Sequence, residues 1–314
     1  MRINYLIYFS LGLVTIIFAQ DAGKYSPDDF ANYQKQQMEA FQNYKQSVTA
    51  QYADYERREK EAFEQYKKEI EEKWEEFKSP EPKTFVEYSE DLNSRQSIDF
   101  EKGEVTIEVI VEEEPSKEDD PVQSEKQKEE KVKDTLTKEL IGLIKKKADD
   151  NKPILKNQLN TNDGKEVTES NAKEKAADIV KAKKIDKKPY KSKDGKKRVK
   201  YTVKVPLKRN HLDERAKRFE NEILKQSKRW KLDPAIVFAL MEAESSFNPK
   251  ARSHIPAFGL MQLVPKSGAR DAYKYVYNVD KLVTGDYLYK PINNIELGCA
   301  YFSKIRYYYF ENIK

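Results

Sequence analysis

One cysteine, Cys299, and two histidines, His211 and His254, are all that this chain of 314 residues has of either type. A lone thiol excludes an intramolecular disulfide, so burial and hydrogen bonding have to hold the fold. So few soft ligands leave nothing to build a structural zinc site from, and neither a metal nor a cofactor is expected. His254 reads as a surface loop residue. An excess of one charge is lacking too: 59 basic residues stand against 54 acidic ones, a net charge of +5. A nucleic-acid footprint needs basic residues gathered on one face, and this mixed, lysine-rich pattern reads as a solvated surface instead. The apolar run from Tyr5 to Phe18 is too short for a comfortable membrane span.

What that run offers is a secretory layout: Arg2, an apolar stretch, then Ala19 and Gln20. Residues 1–20 are expected to be a signal peptide and the protein to reside in the periplasm or cell envelope, with peripheral membrane association still open. No cysteine follows the run, which argues against a lipid anchor of the bacterial lipoprotein kind.

Residues 21–80 carry a repeat. Phe30, Tyr33, Phe41, Tyr44 and Val48 recur 22 residues later as Tyr52, Tyr55, Phe63, Tyr66 and Ile70, and Trp74 and Phe77 open a third copy. Six turns per repeat gives about 3.67 residues per turn, the hendecad period of a long helix. Pro80 and Pro82 are expected to end it. An aromatic stripe of this kind serves a helix–helix contact, a core or a sugar, so self-association or a protein partner through residues 26–79 is one expectation.

Beyond it the pattern turns to alternation. Val105, Ile107 and Val109 oppose Glu104, Thr106 and Glu108, the mark of a half-buried strand after a turn at Gly103. Leu136, Leu140, Ile141 and Ile144 follow at helical spacing. Pro153 to Leu159 reads as a strand, Asn162-Asp163-Gly164 as a turn, Ala172 to Ala182 as a helix, and Val199 to Val205 alternates again. Composition alone would leave residues 113–200 disordered; the pattern pieces suggest a small α+β domain.

The last hundred residues read as helices. Asn210 or Asp213 is placed to cap a helix running to Trp230, and Asp233-Pro234 opens the next, aspartate as cap and proline in its first turn. Ala235 to Met241 is apolar all round, so that helix is expected to be buried. Glu242 and Glu244 lie near its C-terminal end, where desolvation and the helix dipole both disfavour a charged carboxylate. A glutamic acid that keeps its proton is what a glycosidic oxygen needs from a general acid. Periodicity does not choose between the two.

Ala243-Glu244-Ser245-Ser246-Phe247-Asn248-Pro249 followed by Gly259-Leu260-Met261-Gln262-Leu263 resembles the glutamate-serine and Gly-Leu-Met-Gln motifs of the goose-lysozyme-like lytic transglycosylases. Asn293-Asn294-Ile295-Glu296-Leu297-Gly298-Cys299-Ala300-Tyr301 is similar to the family's next helix. Phe85 through Glu108 resembles the N-terminal domain of the C type of that family, and Tyr201-Thr202-Val203 followed by Asn210-His211-Leu212-Asp213 resembles its entry into the catalytic domain. The resemblance implies an α+β domain over 81–208 and a mainly helical, lysozyme-like catalytic domain over 209–314. It implies peptidoglycan as substrate and Glu244 as the single acid/base, protonating the bond between N-acetylmuramic acid and N-acetylglucosamine and leaving a 1,6-anhydro end. Ser245, Gly259, Leu260, Met261, Gln262 and Tyr301 are the implied sugar-binding residues, and Glu242 the structural neighbour.

Gly259 would let the backbone approach a sugar closely; Met261 offers an adaptable apolar wall and Gln262 an amide that both donates and accepts. Cys299 reads as packing. The resemblance also implies a further helix with an Ala-Tyr-Asn-Gly motif, whose tyrosine bonds the glutamate. No residue up to Lys314 supplies it, and Tyr307, Tyr308 and Tyr309 are poor substitutes, so a fragment with an incomplete catalytic domain is expected. A lysozyme-like muramidase and an inactive peptidoglycan-binding protein remain open alternatives.

Overall fold

The computed structural model of the chain describes residues 27–113 and 121–308; the expected signal peptide and Tyr309 lie outside them. The chain divides into two compact units, residues 1–64 and 65–314. The described part of the first is the opening stretch of a helix, α1 (Pro27–Lys73). Phe30, Tyr33, Phe41, Tyr44 and Tyr55 of the aromatic repeat are exposed there. Ion pairs one turn apart, Arg57 with Asp54 at 2.6 Å and with Glu61 at 3.0 Å, support the exposed helix, each worth a few tenths of a kcal/mol by the usual ~0.2–0.5.

In the second unit α1 stops at Lys73, ahead of the expected end at Pro80. The stop is made by anchorage rather than by proline. Trp74 is buried, its indole N–H donating to the Leu92 carbonyl at 2.9 Å, and Lys73 Nζ donates to the Asp91 carbonyl at 2.6 Å.

The sheet that receives Trp74 is antiparallel and five-stranded, in the order β1 (Thr84–Tyr88), β2 (Ser94–Asp99), β3 (Glu104–Glu112), β5 (Lys197–Pro206), β4 (Asp186–Lys191). Between β3 and β4 the chain forms α2 (Pro121–Lys145) and α3 (Ala172–Ala182). Leu136, Leu140 and Leu143 of α2 and Ile179 of α3 bury themselves against Ile98, Ile107 and Val203. Each such leucine or isoleucine contributes roughly 1.5–3 kcal/mol by leaving water.

Contrary to the half-buried strand expected, both faces of β3 are covered. Ile110 packs with Ile70, Trp74 and Tyr88, and Glu108 is buried on that same face. Burial alone would raise Glu108, but the Arg95 guanidinium at 2.7 Å, with Lys78 and Lys200, outweighs it and holds the carboxyl below its usual value. Pro153–Leu159 is not a strand. It folds into successive turns that drop Ile154, Leu155 and Leu159 into the core. The edge strand β4 was not expected at all.

The remaining elements are helical: α4 (His211–Trp230), α5 (Pro234–Ser245), α6 (Arg270–Tyr277), the short α7 (Gly285–Tyr289) and α8 (Pro291–Arg306). Asn210 sits at the cap position of α4 without a side-chain capping bond, whereas Asp233 caps α5 by accepting from the Ala235 N–H. The all-round burial expected of α5 is not found. Val237, Met241 and Ser245 are its buried residues, while Ala235, Ile236, Ala239 and Ala243 are exposed. Cys299 packs with Phe219, Ile223, Met241 and Ile295, and burial pushes its thiol up to about 12.

Several side chains join the sheet portion to the helices: Arg218 pairs with Asp150, Asn248 donates to the Pro82 carbonyl, and Arg215 is buried between them. Arg215, 2 % exposed, donates to the carbonyls of Phe100 and Ser246, both at 2.8 Å, and to the Gln158 side-chain oxygen at 2.8 Å. Its burial without a carboxylate lowers it to about 10.

Candidate active site

The site begins where α5 stops. Ser246 and Phe247 take left-handed backbone angles, φ 48° and 58°, a conformation that costs a non-glycine residue of order 1 kcal/mol. Surrounding bonds hold it: the Ser246 N–H donates to the Glu242 carbonyl at 2.9 Å, and Arg215 Nε holds the Ser246 carbonyl. This sharp end leaves Glu244 in the last turn, with Ser245 turned inward. Ser245 is fully buried; its hydroxyl lies 2.8 Å from the Leu260 carbonyl and 3.0 Å from that of Met241. It fastens the following loop to α5 and does not line the cleft.

Gly259 has φ +75°, and a Cβ there would meet the Asn294 amide nitrogen at 2.4 Å and the Leu288 carbonyl at 2.5 Å. The close approach that requires glycine is to α8 and α7 rather than to a sugar. Leu260, fully buried, is core. Met261, Gln262 and Leu263 are the residues of the turn that line the cleft. Gln262 has φ 46°, donates through Nε2 to the Gly259 carbonyl at 2.9 Å, and keeps a buried side-chain oxygen with no donor.

Together Glu244, Met261, Gln262 and Tyr301, with Leu240 and Phe302, line a cleft of about 330 Å³. Among the described residues Glu244 is the sole carboxylate in that lining, and Glu242, also exposed, is not part of it. Of the seven residues expected at the site, the structure therefore brings four to the cleft; Ser245, Gly259 and Leu260 support it from behind. Glu244 is itself exposed, so the desolvation foreseen for it is not present in the free protein. Tyr307 and Tyr308 are exposed and outside the lining, and His254 is an exposed loop residue.

Asn294 was missed. It is fully buried on α8, where its Oδ1 accepts from the Met261 N–H at 2.8 Å and its Nδ2 donates to the carbonyls of Phe258 at 2.8 Å and Leu288 at 2.9 Å. An amide in phase with the apolar residues Ile295, Leu297 and Cys299 of the helix was the available signal: no apolar side chain satisfies three backbone groups at once.

These elements are those of a transglycosylase domain, and the family model "Transglycosylase SLT domain" matches residues 221–313. "Membrane-bound lytic murein transglycosylase C, N-terminal domain" matches residues 45–218, more than half of the chain. The chain belongs to the membrane-bound lytic murein transglycosylase C family. It is 37% identical to that protein of Klebsiella pneumoniae subsp. pneumoniae over 123 residues, 39% of this chain and 34% of the relative. With that of Sodalis glossinidius it shares 37% identity over 113 residues, 36% of this chain and 31% of the relative. The matched part thus spans about a third of the length of these relatives. Among solved structures, an inactive mutant of the lytic transglycosylase Slt from Pseudomonas aeruginosa is similar over 29% of this chain and 14% of its own, at 30% identity and a TM-score of 0.27.

Proposed function

We propose that the protein is a peptidoglycan lytic transglycosylase of the cell envelope, with Glu244 as its single acid/base. The observation that carries the reading is the composition of the cleft: among the described residues one carboxylate, Glu244, lines it together with Met261 and with Gln262, whose side-chain oxygen has no donor. A single acid suits a substrate-assisted cleavage, in which the sugar's own N-acetyl group takes the place of a second carboxylate. Glu244 gives its proton to the oxygen between N-acetylmuramic acid and N-acetylglucosamine as that bond breaks. The carboxylate then takes the proton of the muramic 6-hydroxyl, whose oxygen closes on C1 to form the 1,6-anhydro ring. Substrate filling the cleft would supply the desolvation that the exposed glutamate lacks when free.

Met261 and Tyr301 fit the apolar faces of sugar rings, and the Gln262 oxygen suits an N-acetyl N–H or a hydroxyl. The sheet portion over 81–208 and the helical domain over 209–314 are the two parts of this enzyme, and α1 its site of self-association. The test is Glu244→Gln, which preserves shape and removes the proton. It should lower release of soluble muropeptides by roughly 10²–10⁴-fold, the usual contribution of general acid–base catalysis, with glycan binding retained. Undiminished release would sink the assignment. The exposure of Glu244 favours a second reading, in which water rather than the 6-hydroxyl captures the sugar and the protein is a muramidase.

A further inference from the structure

A second cavity, about 400 Å³, shares no residue with the cleft. It is lined by the end of β5, the start of α4, the C-terminal end of α3 and the turn around Asn160. Three cations, Lys183, Lys208 and Arg209, contribute to the lining, and among the described residues no carboxylate does. Lys208 is paired with Glu166 at 3.0 Å; Lys183 and Arg209 make no ion pair among the described residues. Asn160 adds a buried side-chain oxygen that no donor reaches. Ile179, Val205 and Leu207 supply an apolar side.

Lys183 and Arg209, which no acid neutralises among the described residues, attract an anion, and in a recess it meets less screening than on an open surface. The orphaned amide oxygen calls for an N–H or O–H beside that anion. A carboxylate, an adjacent amide N–H and a short aliphatic group are together the end of a short peptide. We propose that this cavity binds the free carboxylate end of a peptide stem of the cell wall, with Lys183 and Arg209 holding the carboxylate and Asn160 accepting from the stem's amide. The proposal rests on peptidoglycan being the substrate. A flat anionic lipid surface matches it less well, because the cations line a recess and the apolar residues beside them are buried.

The experiment is calorimetric titration of the full chain carrying Glu244→Gln, so that no ligand is consumed. The probes are a soluble disaccharide-peptide with free stem carboxylates and the same fragment with those carboxylates amidated. Adding Lys183→Ala and Arg209→Ala should weaken the acid form about tenfold, or about 1.4 kcal/mol. The amidated form should bind equally weakly with and without the two substitutions. Equal affinity for the acid form before and after them would overturn the cavity's assignment while leaving the substrate reading intact. Failure of both fragments to bind before they are introduced would overturn both.

Discussion

Asn294 shows how much of the cleft depends on a side chain that never touches it. Its amide satisfies one N–H and two carbonyls of the segments around Gly259, and leaving each of these unmet costs about 1–3 kcal/mol. Asn294→Ala is therefore expected to destabilise the fold by roughly 3 kcal/mol or more, read as a lower urea midpoint with an unchanged slope. A midpoint within error of the parent would show that the turn stands without it. At this scale the sequence was legible where chemistry is local. Asp233 before Pro234 reads directly as a cap, and it is one. Gly259 was legible as a required glycine, but its reason was not, because the atoms a Cβ would strike belong to Asn294 and Leu288, about thirty residues on. Ser245 and Leu260 carry motif letters yet face inward, a distinction that spacing alone does not reveal.

Among the elements, α4 bears a pH dependence at its first residue. The Arg215 guanidinium only donates, so His211 Nδ1, 2.8 Å away, must accept and the ring must be neutral. Burial first, then the Arg215 charge, lowers the His211 pKa from 6.5. Because the unfolded chain then binds the proton more readily, this contribution to stability is fully present above about 6.5, the ordinary histidine value. It is lost as pH falls through the lower folded value. The melting temperature should drop between pH 7 and pH 5, and His211→Gln, neutral throughout, should flatten part of that slope; an identical slope in the variant would exclude this histidine as the cause. The elements themselves were legible in proportion to their periodicity. Ala172–Ala182 was foreseen to the residue because its buried face repeats helically. Strand β4 was not, since all but one of its residues are exposed and Pro189 interrupts it, a pattern an edge strand tolerates. The apolar stretch of α5 misled in the other direction, because small residues such as Ala235 and Ala239 are apolar without being buried.

For the molecule as a whole, the α+β and helical portions were legible from pattern joined to motif, but their attachment was not. It rests in part on Arg215, two of whose four partners are backbone carbonyls that leave no trace in side-chain composition. The 22-residue aromatic repeat was equally legible, and the structure leaves several of its rings in the first unit exposed. A hendecad stripe of this kind matches a second copy of itself. Sedimentation of the chain should therefore give twice the monomer mass, reverting to the monomer when Phe41 and Tyr44 are replaced by serine; a monomer before any substitution would contradict pairing through the stripe.

The most direct test of the central claim is the mass of the soluble products released from peptidoglycan by the chain. Closure by the 6-hydroxyl predicts anhydro-muropeptides, one water lighter than hydrolysis products, that vanish with Glu244→Gln. Products carrying the added water would make the protein a muramidase, and anhydro products that persist in the variant would remove Glu244 from the chemistry.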